Sequence, residues 1–188
     1  MPLDLEVKEM ELWDKTELFV FDIDGTLAKG EKLVEGAVEL IELLNVKRKQ
    51  YVLFTNNSSK SPVDYSRGLQ RKGCNVEGKV LTTADVAAYY YHQNYENQNI
   101  YLVGTDALGE YLRQKGVSIT TEDAKAVFVS FDKSFTYEKM RLATAFINKG
   151  ADYVATHMDL TCPVEEGMIP DCGSICASIT AATGVNPV

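Results

Sequence analysis

The sequence has no basic surplus. Its 188 residues carry 19 Lys and Arg against 27 Asp and Glu, a formal net charge of −8. That balance excludes a general nucleic-acid or membrane-surface binder, whose footprint would be basic. It leaves room for an anionic substrate, because a bound divalent cation can invert the local charge. No window approaches the roughly 18 apolar residues a membrane helix needs. The acid-rich start, MPLDLEVKEMELWDKTELF, lacks an apolar core of signal-peptide length. A cytoplasmic protein with no nucleic-acid or membrane partner is expected. Cysteine is scarce and unpatterned: Cys74 and Cys162 stand alone, Cys172 and Cys176 are four apart, and there is no CxxC pair to suggest zinc. Reduced, packed thiols are the expectation. Repeats and low-complexity tracts are absent too.

What is present is an alternation of strand and helix patterns. Phe19-Val20-Phe21 reads as a buried strand, and VEGAVELIELL sets Val34, Val38, Ile41 and Leu44 near one helical face. QYVLF is the next strand. SPVDYSRGLQRKG then opens with Ser61 as N-cap and Pro62 at the first helical position, and stops at Gly73. The pattern restarts with a helix capped by Thr83, a strand at 99–104, a helix capped by Thr105 and a strand at 125–131. A helix from Thr136 to Gly150 and a strand at 152–156 follow. A long polar loop is expected from His157 to Cys172, then a last helix ended by Gly184. Such alternation favours a parallel sheet with right-handed crossovers.

The chemistry sits in FVFDIDGTL. A buried strand ends in Asp22, Asp24 follows, and Gly25 and Thr26 turn the chain. Ligands bind beyond the carboxyl ends of the strands in an open parallel sheet. Thr55, Asn56, Asn57 and Ser58 end the second strand, so two strand ends deliver polar groups to one edge. Two carboxylates at i, i+2 can divide labour: one attacks phosphorus, the other protonates the leaving oxygen and then activates water. A calcium loop is the alternative, but the EF-hand pattern needs Gly at position six and Glu at twelve. Here Gly25 is at position four and Leu33 at twelve. A plain solvated turn stays open on these residues alone.

FDIDGTL after one apolar strand, LFTNNSSKS after another, and ATHMDLTCPVEEGMIPDCGSICASITAATG near the end occur together. This combination resembles the haloacid dehalogenase superfamily of phosphohydrolases, in the branch (subfamily IIA) of 4-nitrophenylphosphatase-like and phosphoglycolate/pyridoxal phosphatase-like enzymes. The resemblance implies an α/β fold, a Rossmann-like core with an inserted α/β cap. Residues 1–82 would form the first part of the core, 83–183 the cap, and 184–188 the start of the return. It implies a Mg²⁺-dependent phosphoric monoester hydrolase acting on small phosphorylated metabolites. Asp22 would be a Mg²⁺ ligand and the nucleophile that forms an aspartyl phosphate, and Asp24 the general acid/base, with its backbone carbonyl also a Mg²⁺ ligand. Gly25, Thr55 and Asn56 would bind phosphate. His157 and Asp159 would lie in the cap loop that meets the substrate, and the cap would mediate a homodimer. Lys60 and the pair Glu165 and Glu166 read more simply as solvated, and Tyr89, Tyr90 and Tyr91 as helix packing and surface.

Two parts of the resembled pattern are not in these residues. A phosphate-binding lysine and a further acidic pair normally follow the cap, yet no Lys or Arg follows Lys149 and no Asp or Glu follows Asp171. The parallel sheet is expected to be incomplete, with the Phe19–Phe21 strand presenting a bare apolar edge. A truncated, weakly active or inactive form of a longer phosphatase is the expectation. A non-catalytic chain that keeps the cleft for binding or assembly with a partner is the competing reading.

Overall fold

In a computed structural model that describes residues 7–29, 32–57, 61–76, 78–164 and 167–188, the chain forms two compact units, Met1–Phe54 with Ser66–Val80 and Thr55–Tyr65 with Leu81–Val188. Ser58, Lys60, Glu165 and Glu166, all considered above, lie outside the described residues.

Helix α1 (Val7–Lys15) leads into β1 (Leu18–Asp22). A short antiparallel hairpin of β2 (Ala28–Lys29) and β3 (Lys32–Leu33) follows, then α2 (Ala37–Val46), β4 (Gln50–Thr55), α3 (Pro62–Arg71) and β5 (Val80–Thr82). The sheet order is β1-β4-β5, with β1 and β4 parallel and Asp22 paired with Phe54. Helix α1 has no clear periodic signal in the sequence; long-range contacts hold it. Trp13 tilts against Phe19 at 4.8 Å between ring centroids. Lys49 Nζ donates to the carbonyls of Trp13, Asp14 and Thr16 at 2.8, 3.1 and 3.3 Å, satisfying groups that a helix end leaves unpaired.

Helix α2 starts three residues later than its apolar spacing predicts, because Gly36 takes a left-handed conformation (φ 86°) immediately before it. Val34 therefore lies outside the helix and is exposed, while Ala37, Ile41 and Leu44 are buried. Among the described residues β1 is an edge strand, and its Leu18 and Val20 are 53% and 64% exposed.

The second unit has α4 (Thr83–Asn94), β6 (Ile100–Val103), α5 (Asp106–Gln114), β7 (Ala126–Val129), α6 (Tyr137–Asn148) and β8 (Asp152–Ala155). β9 (Thr161–Val164), β10 (Gly167–Pro170) and α7 (Cys172–Thr183) complete it. β6, β7 and β8 form a parallel sheet in that order. Alternate residues feed two cores, as a period of two requires. Tyr101, Val103, Val127, Val129 and Tyr153 join Phe146 of α6 and Ile179 of α7 in one. Ile100, Ala126, Phe128 and Val154 join Ala87 and Tyr91 of α4 and Leu112 of α5 in the other. Helices on both faces of a parallel sheet make this an α/β unit.

Caps fall where hydroxyls precede helices. Thr105 Oγ1 accepts from Leu108 N and Thr136 Oγ1 from Lys139 N, each at 3.2 Å. Helix α4 departs from expectation by one residue: Thr82 caps it in a reciprocal box with Asp85, and Thr83 is already helical. The stretch 157–172, expected as a polar loop, contains the β9–β10 hairpin, with Thr161 opposite Pro170. Proline obscured the signal, yet a two-stranded hairpin consists of edges, where proline is tolerated.

Candidate active site

Asp22 closes β1, and the turn after it is built by alternation. Ile23 is 2% exposed and Leu27 4%, whereas Asp22, Asp24 and Thr26 face solvent. Ile23 N donates to Phe54 O at 3.0 Å, extending the ladder one residue past the strand. Its carbonyl then accepts from Leu27 N and Ala28 N at 3.0 and 2.9 Å, and Gly25 N donates to Ala28 O at 2.7 Å. Gly25 sits at φ 98°, in the left-handed region, with open space where a Cβ would stand. Backbone conformation rather than crowding thus requires glycine there. The apolar residues pin the loop, and the polar ones are presented on it.

Thr26 Oγ1 donates to Asp22 Oδ2 at 3.2 Å. The Asp22 carboxyl titrates above its ordinary range, chiefly because surrounding protein desolvates it and further because Asp24 is a like charge. The Thr26 hydroxyl and the Ile23 amide pull the other way. This arrangement fits a hard divalent cation. The Asp22 carboxylate and the Asp24 backbone carbonyl offer oxygen donors, and the repulsion between the two side chains that raises Asp22 is the kind a cation relieves.

In the second unit, the last residue of β4, Thr55, is fully buried, and its Oγ1 accepts from Asn57 N at 3.0 Å. Asn56 O accepts from Thr83 Oγ1 at 3.0 Å, and Asn56 Nδ2 donates to an oxygen of Asp159. Two residues expected at the substrate from separate motifs, Asn56 and Asp159, therefore touch.

His157 is held differently. Its Nδ1 lies 3.0 Å from Thr156 Oγ1 and its Nε2 2.9 Å from Asp171 Oδ1. Both ring nitrogens are engaged within the unit, and the His157 and Asp171 side chains are each 9% exposed. Asp171 also caps α7, its Oδ1 accepting from Cys172 N at 2.6 Å. Gly173 N donates to Asp159 O at 2.8 Å. A Cβ on Gly173 would collide with Met158 O, and would stand 2.8 Å from Met158 C and 2.9 Å from Asp159 O. Asp171 and Gly173 were not singled out from sequence. An acid directly before a helical stretch is a signal that finds Asp171; no sequence signal finds Gly173.

Residues 19–118 match the family model described as haloacid dehalogenase-like hydrolase. The chain belongs to the haloacid dehalogenase-like hydrolases. An acid sugar phosphatase from Staphylococcus epidermidis is 31% identical over 173 residues, which are 91% of this chain and 67% of that protein. The crystal structure of 4-nitrophenylphosphatase from Thermotoga maritima is 40% identical, with a TM-score of 0.88 over 93% of this chain and 67% of that one. A glycerol phosphate phosphatase from Mycobacterium tuberculosis, solved in complex with magnesium, is 27% identical with a TM-score of 0.85, covering 93% of this chain and 54% of that one. The chain thus spans about two thirds of the first two relatives. Among the described residues of this haloacid dehalogenase-like chain, no helix is long and apolar enough to cross a membrane.

Proposed function

We propose that this protein hydrolyses phosphomonoesters of small metabolites through an aspartyl-phosphate intermediate on Asp22, with Mg²⁺ as cofactor. The observation that carries the reading is the strand end itself. Asp22 and Asp24 stand on a pinned turn, and the nucleophile candidate is oriented by Thr26. Membership of a family whose relatives are named phosphatases supports it, as does the magnesium complex of one relative.

The chemistry follows from the two carboxylates. An Asp22 oxygen attacks phosphorus and the bond to the leaving oxygen breaks. Asp24, protonated, gives its proton to that oxygen. Asp24, now a carboxylate, takes a proton from water, which attacks phosphorus and releases phosphate from Asp22. The Asp22 carboxylate and the Asp24 backbone carbonyl would hold Mg²⁺, which when bound offsets the charge of the phosphoryl group. Thr55 and Asn56 are assigned to the phosphoryl oxygens, where donors aimed at developing charge supply most of the stabilisation, and Gly25 to the close approach of the backbone to the phosphate. Asp159 is assigned to the substrate. His157, with both nitrogens engaged, shapes the loop that carries Asp159.

The lysine and second acidic pair of the resembled pattern are not among these 188 residues. Turnover is therefore assigned to a chain that carries them, with weak or no activity for the 188 residues alone. A division of the full core and cap near residue 82, a cytoplasmic setting and a homodimer through the cap belong to the same reading.

A panel of sugar, acid and nucleoside monophosphates, assayed with and without Mg²⁺, tests the proposal on protein made from the full reading frame. Mg²⁺-dependent phosphate release that disappears in Asp22→Asn is expected. Turnover that persists in that variant overturns the assignment. A folded protein that binds phosphate esters without turning them over would favour the non-catalytic reading.

A further inference from the structure

We propose that His157, Asp159 and Asp171 form a second cation site, in the second unit, for a divalent transition metal such as Mn²⁺, Co²⁺ or Zn²⁺. One nitrogen of His157 and one oxygen from each carboxylate lie within 4.8 Å of one another. Ligands about 2.0–2.2 Å from a metal stand roughly 3 Å apart. His157 Nε2 and Asp171 Oδ1 are already at 2.9 Å. Asp159 is exposed and contributes one carboxylate oxygen to the same group.

Each of the three donors has its own outer partner, the arrangement that orients metal ligands. Asn56 Nδ2 holds Asp159, Cys172 N holds Asp171, and Thr156 Oγ1 meets His157 Nδ1. A metal ion at His157 Nε2 would take the place of the proton shared with the Asp171 carboxylate across 2.9 Å, with Nδ1 kept on the Thr156 hydroxyl. Asp159 completes a donor set of one imidazole and two carboxylates. The imidazole suits a transition metal such as zinc better than magnesium, so the site differs in kind from the all-oxygen pair Asp22 and Asp24.

The loop is built to hold this geometry. Asp171 N donates to Leu160 O at 3.0 Å and Gly173 N to Asp159 O at 2.8 Å, and Ser174 Oγ donates to Leu160 O at 2.6 Å. A cation would fix the 157–160 segment against the start of α7 more firmly than these bonds alone.

The test is three-pulse electron spin-echo modulation on the protein with Mn²⁺, in the presence of excess Mg²⁺ to fill any all-oxygen site. Modulation from an imidazole nitrogen is expected, kept in Asp22→Asn and in His92→Gln, and lost in His157→Gln. Circular dichroism checks that His157→Gln is folded. Asp159→Asn, at an exposed position, gives an independent reading and is expected to weaken the nitrogen-bearing Mn²⁺ site at least about tenfold. Absence of nitrogen modulation in the wild type overturns the site, as does modulation that survives His157→Gln or Mn²⁺ binding unaffected by Asp159→Asn.

Discussion

Thr26 Oγ1 donates to Asp22 Oδ2 across 3.2 Å, joining two residues four apart on the turn after β1. That bond favours the ionised carboxylate, against the desolvation and the Asp24 charge that disfavour it. Replacing Thr26 by Val removes the donor and keeps the shape. The acid limb of the kcat/KM–pH profile should move to higher pH, and Thr26→Ser should restore it. A profile that does not move would show that the hydroxyl leaves the Asp22 charge unaffected.

Asp22→Asn should abolish turnover without loss of fold, and its stability should depend on pH with a defined sign. Because the folded-state value of Asp22 is raised above the ordinary 3.8, the native state holds this proton more tightly than the unfolded chain does. Asp22 therefore costs stability as pH rises from the ordinary value through the raised one, and the full cost is present above that window. Without metal, the Asn variant should melt slightly higher than wild type at neutral pH, on the order of 1–2 °C for a surface charge. The difference should vanish in acid below the ordinary value. Calorimetry across pH checks this; a gain that grows in acid contradicts the sign.

Gly173→Ala places a methyl group against the Met158 and Asp159 carbonyls. Backbone on both sides cannot give way as a flexible side chain can. A loss of about 1–3 kcal/mol is expected, typical of overpacking, read from urea unfolding. Weaker interaction of the displaced Asp159 with substrate should raise KM. Unchanged stability would mean that the 158–159 segment moves freely.

Lys139 Nζ lies 2.7 Å from Asp132 Oδ2 and also donates to Gly104 O at 2.9 Å. The Asp132 side chain is fully buried and that of Lys139 is 24% exposed. Lys139→Met leaves a buried carboxylate without its cation, expected to cost about 3 kcal/mol, the lower end for broken buried pairs because the lysine is partly solvated. The double variant Lys139→Met/Asp132→Asn should recover part of that loss. A cycle with no coupling would refute the pair as a stabilising unit.

What the sequence made legible, and what it hid, divides by the range of the interactions. Strands with strong apolar runs, such as 50–54 and 126–129, and helices with hydroxyl caps, such as those after Thr105 and Thr136, are encoded locally and were found. Helix α1 depends on Trp13 meeting Phe19 and on a lysine 35 and 36 residues away, Lys49 against Asp14 and Trp13, so its own residues say little. β5 is three residues long, and the β9–β10 hairpin is interrupted by proline, so neither carries a period. At the site, the Asp22 and Asp24 turn stands out because acids directly after an apolar run break the apolar pattern, although β1 itself is a half-exposed edge strand rather than the buried one expected. The joining of Asn56 to Asp159, 103 residues apart, follows from folding alone.

The most direct test of the central claim is chemical trapping of the nucleophile. Protein from the full reading frame, turning over 4-nitrophenyl phosphate with Mg²⁺, is quenched with borohydride, which reduces an acyl phosphate to an alcohol, and its peptides are sequenced by mass spectrometry. The account predicts that residue 22 is converted from aspartate to homoserine, with Asp24 unmodified. Turnover with residue 22 intact, or with the modification at another carboxylate, would contradict it.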